Sequence, residues 1–581
     1  MTAKERKNEM NRRRNLLIAA VCTVLLTLLL LPLAQLMSIG QQEANANDAD
    51  HMVKPMLAML AQAPQQKANV AVESMMDIEE AWAIEDAREE SAELPLVTGM
   101  RRDDSELGYD AASNTFYCTL GMGGGDWPEI ALFAQPAEGK ENLRVAWIDD
   151  YTYDFCVDAI RDGYRYELLA YTDTEYAYFG VVFTGLPTVT LHVHGGADAL
   201  GDTYIPARMS VSSADHEAIN SGAWVHLRGG GFVKEYAKWS YRVEFHEFTD
   251  RGDDKVERSV LGMPADTDWL LIGNGGDGTC ARNEIAWQLW RDWNPDGNAF
   301  MVQESQMVEL FLDDEYIGIY QLMQRIDEEK EIVDMGGNLA TDYVARVIKS
   351  ANLGEKPNAD WREVADIYGE LRYAPQGVSA DAALKHFDPY VLMSAQRRSL
   401  MTDEEFAALC EKSVDVKEML EYFLFVQAAS LGHDNYFNNV YIWALWNGRN
   451  HVFHLSPWDM DMAFIRMFGN GDEDTVNLYY ALCWRMIDLD VGGAKQILWD
   501  IWNEKRSTII SDDAMYARFQ NFEDMINRSG AYLRETEKWH GGAQELSLGE
   551  MQAFAVEHLH VADRMLSDLF PHEDAVNSAQ Y

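Results

Sequence analysis

Basic residues are scarce in this 581-residue chain: 48 Lys and Arg stand against 95 Asp and Glu, a formal net charge of −47. A field of that sign repels polyanions at long range. It excludes general binding of nucleic acid or anionic lipid, and leaves an anionic ligand only a locally basic pocket or a metal ion. Cysteine is also sparse. The six residues Cys22, Cys118, Cys156, Cys280, Cys410 and Cys483 follow no regular spacing, so neither a disulfide framework nor a zinc site is indicated. Cys118 with Cys156 is the one pair to consider for a bridge; buried thiols are the simpler expectation. No internal repeat is evident, and no Gly-x-x-x-x-Gly-Lys-Ser/Thr loop is present. What the chain holds in quantity is apolar (47%) and aromatic (11%, with 17 Trp and 26 Tyr), enough for a large core and two or more folded units.

The first forty residues stand apart. "MTAKERKNEMNRRRN" carries six Lys or Arg against two Glu, and "LLIAAVCTVLLTLLLLPLAQLM", residues 16 to 37, is uncharged over twenty-two positions. That length spans a bilayer as a helix, and the basic flank predicts a cytoplasmic N-terminus with the acidic bulk outside the cytoplasm. Signal-peptide cleavage near "ANA", 44 to 46, is the rival, giving a secreted protein; the long apolar run favours a retained single-pass anchor. Residues 41–93, rich in Ala, Gln, Glu, Asp and Met, read as a stalk with helical spacing in "DIEEAWAIEDAREESAEL". Residues 94–186 hold short β-branched and aromatic runs such as "TFYCTLGM", "YRYELLAYT" and "YAYFGVVFTG", a small antiparallel β-rich domain. From 187 to 571 strands come early and helices late, an α+β domain, with 572–581 a tail.

Chemistry concentrates in "GHDNYFNNVYIWALWNGRNHVFHLSPWDMDMAF", residues 432 to 464. A helix over "VKEMLEYFLFVQAASLG" is expected to end at Gly432. "VYIWALW" and "HVFHLS" form a hairpin around "NGRN", which sets Asn439 at its entry beside Asp459 at its exit, with Asp434 one loop away. Oxygen donors with an amide among them suit Mg²⁺ or Mn²⁺. An Asp and an Asn five apart before a hairpin, with a further Asp behind it, is how protein kinases set a catalytic Asp and two metal ligands. The same residues serve equally to cap turns or pair with arginines. Positive charge for phosphates is offered by "HLRGGGFVKEYAKWSYRVEF", with Arg228, a turn beginning at Gly229, then Lys238 and Arg242. Arg282 and Asn283 sit at a helix start, where backbone amides favour anions, and Glu284 beside them could pair with a phosphate-facing lysine or make a surface pair.

The ordered segments "LRGGGFVKEYAKWSYRVEF", "SVLGMPADTDWLL", "LLIGNGGDGTCARNEIAWQLW", "VELFLDDEYIGIYQLMQRID", "HDNYFNNVYIW" and "HLSPWDMDMAF" resemble the CotH-type, spore-coat-protein-H-like kinase family over about 187–571. The resemblance implies an atypical protein-kinase-like domain that transfers the γ-phosphoryl of ATP to Ser or Thr of extracytoplasmic proteins. It implies Asp434 as the catalytic aspartate, Asn439 and Asp459 as metal ligands assisted by Asp461, and Arg228, Gly229, Lys238, Arg282 and Asn283 on the nucleotide, beside which the strand residue Arg242 stands as a further candidate. Trp239 replaces the second lysine of the family's Lys-Lys-x-Tyr run, Glu244 a basic residue, and Gln324 a glutamate. These departures weaken the phosphate side and leave the metal side intact. They keep open a second reading, a non-catalytic pseudokinase in surface or envelope assembly. A carbohydrate-active enzyme with paired carboxylates in an aromatic cleft ranks third, since such carboxylates do not require the Asn and glycine turn.

Overall fold

The computed structural model describes residues 69–91, 96–122, 130–140, 142–148, 157–228, 237–249, 252–294, 302–347, 370–394, 400–431, 439–465 and 481–569. The apolar run at 16–37, Cys22, Cys156, Gly229, Gly432, Asp434 and the 572–581 tail lie outside them. Among the described residues no helix is long and apolar enough to cross a membrane. The chain divides into two compact units, Met1–Ala63 with Glu247–Asp254, and Pro64–His246 with Lys255–Tyr581. In the first, the described residues are two strand ends, 247–249 and 252–254. All that follows, apart from the end of one strand at 247–249, concerns the second, a mixed α+β structure.

A ten-stranded sheet comes first and closes with the strand Glu175–Thr184. It begins earlier than a stalk over 41–93 allows. Val70–Met76 is an interior strand, parallel to Arg144–Ile148 and antiparallel to Leu132–Pro136, and the helix Ile78–Asp86 folds back with Ala81 and Ile84 buried. The parallel pairings, including Glu175–Thr184 with Thr115–Thr119, make the sheet mixed rather than purely antiparallel. Alternation explains its two faces. Tyr166, Leu168 and Ala170 enter one apolar cluster, and Leu169 and Tyr171 enter another beneath the helix.

Seven strands then close on themselves. We number them β1 (Thr188–Val193), β2 (Ile205–Ser212), β3 (Ile219–Arg228), β4 (Ser240–Thr249), β5 (Asp268–Ile272), β6 (Ser305–Leu312) and β7 (Glu315–Gln324). Their order β3-β2-β1-β6-β7-β5-β4 is completed by antiparallel pairing of β3 with β4, so the ring is a barrel without free edges in that circuit. Val225, Val243, Phe245, Trp269 and Leu271 fill it, while the alternating residues Trp224, His226, Arg242 and Glu244 point away. The barrel is tied to the first sheet by Glu106 against Arg208 and by Tyr117 stacked with Tyr316. Burial alone would raise Glu106, but His192 and Arg208 hold its pKa down at about 2.

The helix α1 (Arg282–Trp293) buries Ile285, Trp287, Leu289, Trp290 and Trp293 in the largest core cluster. A four-stranded antiparallel sheet shares that core: β8 (Tyr343–Val347), β9 (Glu370–Tyr373), β10 (Val440–Trp446) and β11 (His451–Pro457), ordered β9-β8-β10-β11. The helix α2 (Val416–Ala428) ends at an Ala429 cap, with Ser430 left-handed at φ 50°, so it stops before the expected Gly432. After β11 the described chain is helical, including α3 (Ala531–His540). The described cysteines Cys118, Cys280, Cys410 and Cys483 are free and buried, as apolar packing predicts. Burial pushes the Cys118 and Cys410 thiols up to about 12.

Candidate functional site

The hairpin β10–β11 sets the geometry. Val440 pairs with Pro457 and Trp446 with His451, so the chain turns at 447–450 and its open end brings 439 against 458. The Trp458 amide donates to the Asn439 carbonyl at 2.9 Å, and the Asn439 side-chain amide reaches the Asp459 carbonyl at 3.5 Å. Asn439 and Asp459 both adopt left-handed backbone, φ 47° and 55°. Asn and Asp tolerate that conformation better than β-branched residues. Met460 is fully buried between exposed Asp459 and half-buried Asp461, so the turn is anchored by its middle residue.

Arg228 closes the group. It ends β3, and its guanidinium lies 5.0 Å from the Trp458 ring centroid. Burial lowers its pKa and the Asp459 charge opposes that shift, while Arg346 adds a second repulsive cation. Arg346 sits on β8 opposite Tyr441, one residue from the Val347–Val440 pair at the hairpin base. Sequence reasoning missed Arg346. Its signal, a lone Arg in the strand "YVARVIK", is indistinguishable from a solvated face. Arg325 and Arg372 are nearby in charge but both are held by Glu328.

The remaining expected residues divide. Asn283 does not face outward. Its Oδ1 accepts from the Met460 amide at 2.9 Å and its Nδ2 donates to Gln321 at 2.5 Å. Gln321 in turn donates to Glu284 at 2.8 Å, and Glu284 also accepts from Gln288, Arg291 and Ser305. Asn283 therefore positions the Asp459–Asp461 turn rather than holding nucleotide. Glu284 is buried in this network, neither a surface residue nor the partner of a lysine. The helix N-terminus expected to attract phosphate is already filled. The Asp277 carboxylate accepts from the Ala281 and Arg282 amides at 3.0 and 2.9 Å and stands 3.4 Å from the Arg282 guanidinium.

Lys238 is drawn elsewhere. Its ammonium donates to Glu535 on α3 at 2.5 Å and to the Ile319 carbonyl at 2.7 Å, with Tyr320 at 5.1 Å. Glu535 also accepts from the Ile319 amide at 2.7 Å. That approach needs Gly318, where φ is 111° and a Cβ would fall 2.2 Å from the Glu535 carboxylate. Glu535 was invisible in sequence, 297 residues from its lysine inside an ordinary helix. Arg242 is committed to Asp268 at 2.5 Å. Glu244 takes Lys255 and His246, and although burial would raise its pKa these partners and Arg242 bring it down to about 2. Gln324 donates to the Pro264 carbonyl at 3.2 Å.

A family model for the CotH kinase protein matches residues 225–559. The chain belongs to the CotH kinase family. No curated protein matches it. The match begins inside β3 and runs past α3, so it takes in Arg228, the Lys238–Glu535 pair and the hairpin turn of this CotH chain. Among the described residues no three His, Cys, Asp or Glu side chains gather as a metal site. The Asn439, Asp459 and Asp461 set offers two carboxylates and an amide, hard oxygen donors whose chemistry fits Mg²⁺ or Mn²⁺ and does not fit zinc.

Proposed function

We propose that the protein is an extracytoplasmic, membrane-anchored, metal-dependent protein kinase that transfers the γ-phosphoryl group of ATP to Ser or Thr of surface or envelope proteins. The observation that carries this reading is the meeting of Arg228 with the Asn439–Asp459 turn: a barrel-borne cation faces oxygen donors from a separate sheet. Asn439, Asp459 and Asp461 would hold Mg²⁺ or Mn²⁺, which supplies neutralising charge to the phosphates when bound. Arg228 and Arg346 add fixed positive charge, and Asn283 keeps the acidic turn in place through the Met460 amide. Asp434, five residues before Asn439 in the sequence, would orient the acceptor hydroxyl. Lys238 reaches a phosphate only by loosening Glu535 or Ile319. Such a lysine–glutamate pair is also the arrangement of protein kinases, here with the carboxylate on a late helix. The N-terminal basic flank and the uncharged run at 16–37 support the anchor and the outward orientation.

The test is label transfer from γ-labelled ATP by the full chain with Mn²⁺ or Mg²⁺, beside Asp434→Asn and Asp459→Asn. Loss of label in both variants at unchanged thermal midpoint supports the kinase; equal label in all three ends it. A pseudokinase is favoured by the 36% exposed Trp239 in place of a second lysine and by the closed contacts of Lys238. ATP binding without transfer by the wild-type chain would establish that second reading.

A further inference from the structure

The first sheet carries a built groove that the phosphoryl-transfer site does not use. It occupies about 380 Å³ and is lined by Ile78, Trp82 and Glu85 on one side and by sheet residues including Ile148, Arg165, Glu167 and Tyr178 on the other. The first three lie four and three residues apart, one flank of the helix Ile78–Asp86. Ala81 and Ile84 pin that helix to the sheet, so the flank overhangs a fixed floor. Trp82 is 55% exposed, an unusual place for the largest apolar side chain.

The floor is polar and pre-set. Arg165 donates to Thr115 at 3.0 Å and lies 3.4 Å from Glu167. It can lie flat only because residue 180 is glycine, since a Cβ there would fall 2.1 Å from its Nε. The Tyr178 hydroxyl donates to Glu85, which fixes that carboxylate at the helix edge; burial, then this bond, pushes the phenol's pKa up. An indole face, the two phenols of Tyr164 and Tyr178, two carboxylates and one guanidinium thus surround a space of ligand size.

We infer that this groove binds a neutral oligosaccharide. Sugar rings present C–H faces that stack on an exposed indole, and vicinal hydroxyls that donate to carboxylates and accept from a guanidinium. Two carboxylates against one guanidinium disfavour an acidic glycan. The site gives the first sheet a role in holding the protein on polysaccharide, independent of the kinase reading.

Affinity electrophoresis of the full chain tests it in gels containing soluble xylan, mixed-linkage β-glucan or galactomannan, with polygalacturonate as the acidic counterpart. At least one neutral polymer is expected to retard the wild-type chain. Trp82→Ala should weaken that retardation by about tenfold or more, at unchanged thermal midpoint and unchanged phosphoryl transfer. Absence of retardation by every neutral polymer, equal retardation of Trp82→Ala, or equal retardation by polygalacturonate would overturn the assignment.

Discussion

Arg228 and Lys238 lie ten residues apart at one rim of the barrel, yet they have opposite fates. Arg228 pairs in register with Ser240, two residues beyond Lys238, so the two cations start from neighbouring backbone. Lys238 is 6% exposed and meets a carboxylate that is 3% exposed, with a backbone carbonyl accepting a further hydrogen bond. Arg228 is half-buried against an aromatic ring and faces an exposed aspartate. A second sealed pair, Arg534 with Glu309 at 2.8 Å, lies one residue from Glu535 and also engages Thr184 at the end of the first sheet. In the interior, a charge is kept only when its partner is already in place. At the cleft, Arg228 and Asp459 stay closer to solvent, with Asp459 exposed. The same residue types are therefore sealed against partners on one side of the rim and, on the proposed reading, serve the phosphoryl-transfer site on the other.

The sealed side should yield the largest effects. Glu309→Gln or Lys238→Met each leaves a buried partner without its counter-charge, which costs on the order of 3–5 kcal/mol, read as a large drop in denaturation midpoint. The double variant Lys238→Met with Glu535→Gln should recover part of that loss. A Lys238→Met chain of wild-type stability would break the distinction between the two sides. On the open side, Asp459→Asn should lower phosphoryl transfer by about 10²-fold or more while leaving urea unfolding unchanged.

Asn283→Ala sits between the two. It releases the Met460 amide and Gln321, so stability should fall by about 1–3 kcal/mol and half-saturation by Mn²⁺ should move to higher concentration. Restoring stability without restoring the metal response would sharpen its positioning role. The smallest effect is expected at Glu331. Burial and then the Asp334 charge raise its pKa from 4.5 to about 7. A carboxylate raised in the folded state favours the protonated form, so its contribution is fully present below pH 4.5 and is lost as pH rises to about 7. Glu331→Gln should therefore raise the thermal midpoint by a few degrees at pH 8 and change it little at pH 4.5.

Local chemistry made the hairpin legible. Alternating apolar strands around "NGRN" force residues 439 and 459 together, and the structure places them so. The apolar spacing of α1 and α2 was equally direct. Occupancy was not legible: "TCARNEIA" reads as an anion-binding helix start, and only the fold reveals Asp277 already there. The strand Val70–Met76 was hidden because "VAVESMM" follows a polar, helix-like stretch and draws its stability from neighbours far along the chain.

The sequence by itself determined the family, the mixed α+β character, the acidic field and the gathering of Asn439 with Asp459, because each depends on composition or on pairing across a short turn. Only the tertiary structure decided which charges are sealed against a buried partner and which stay near solvent. Ring closure of β3 on β4 and the docking of α3 bring Lys238 to a carboxylate 297 residues away. No local pattern records that encounter, since a lysine's role is set by the partner that desolvation obliges it to find.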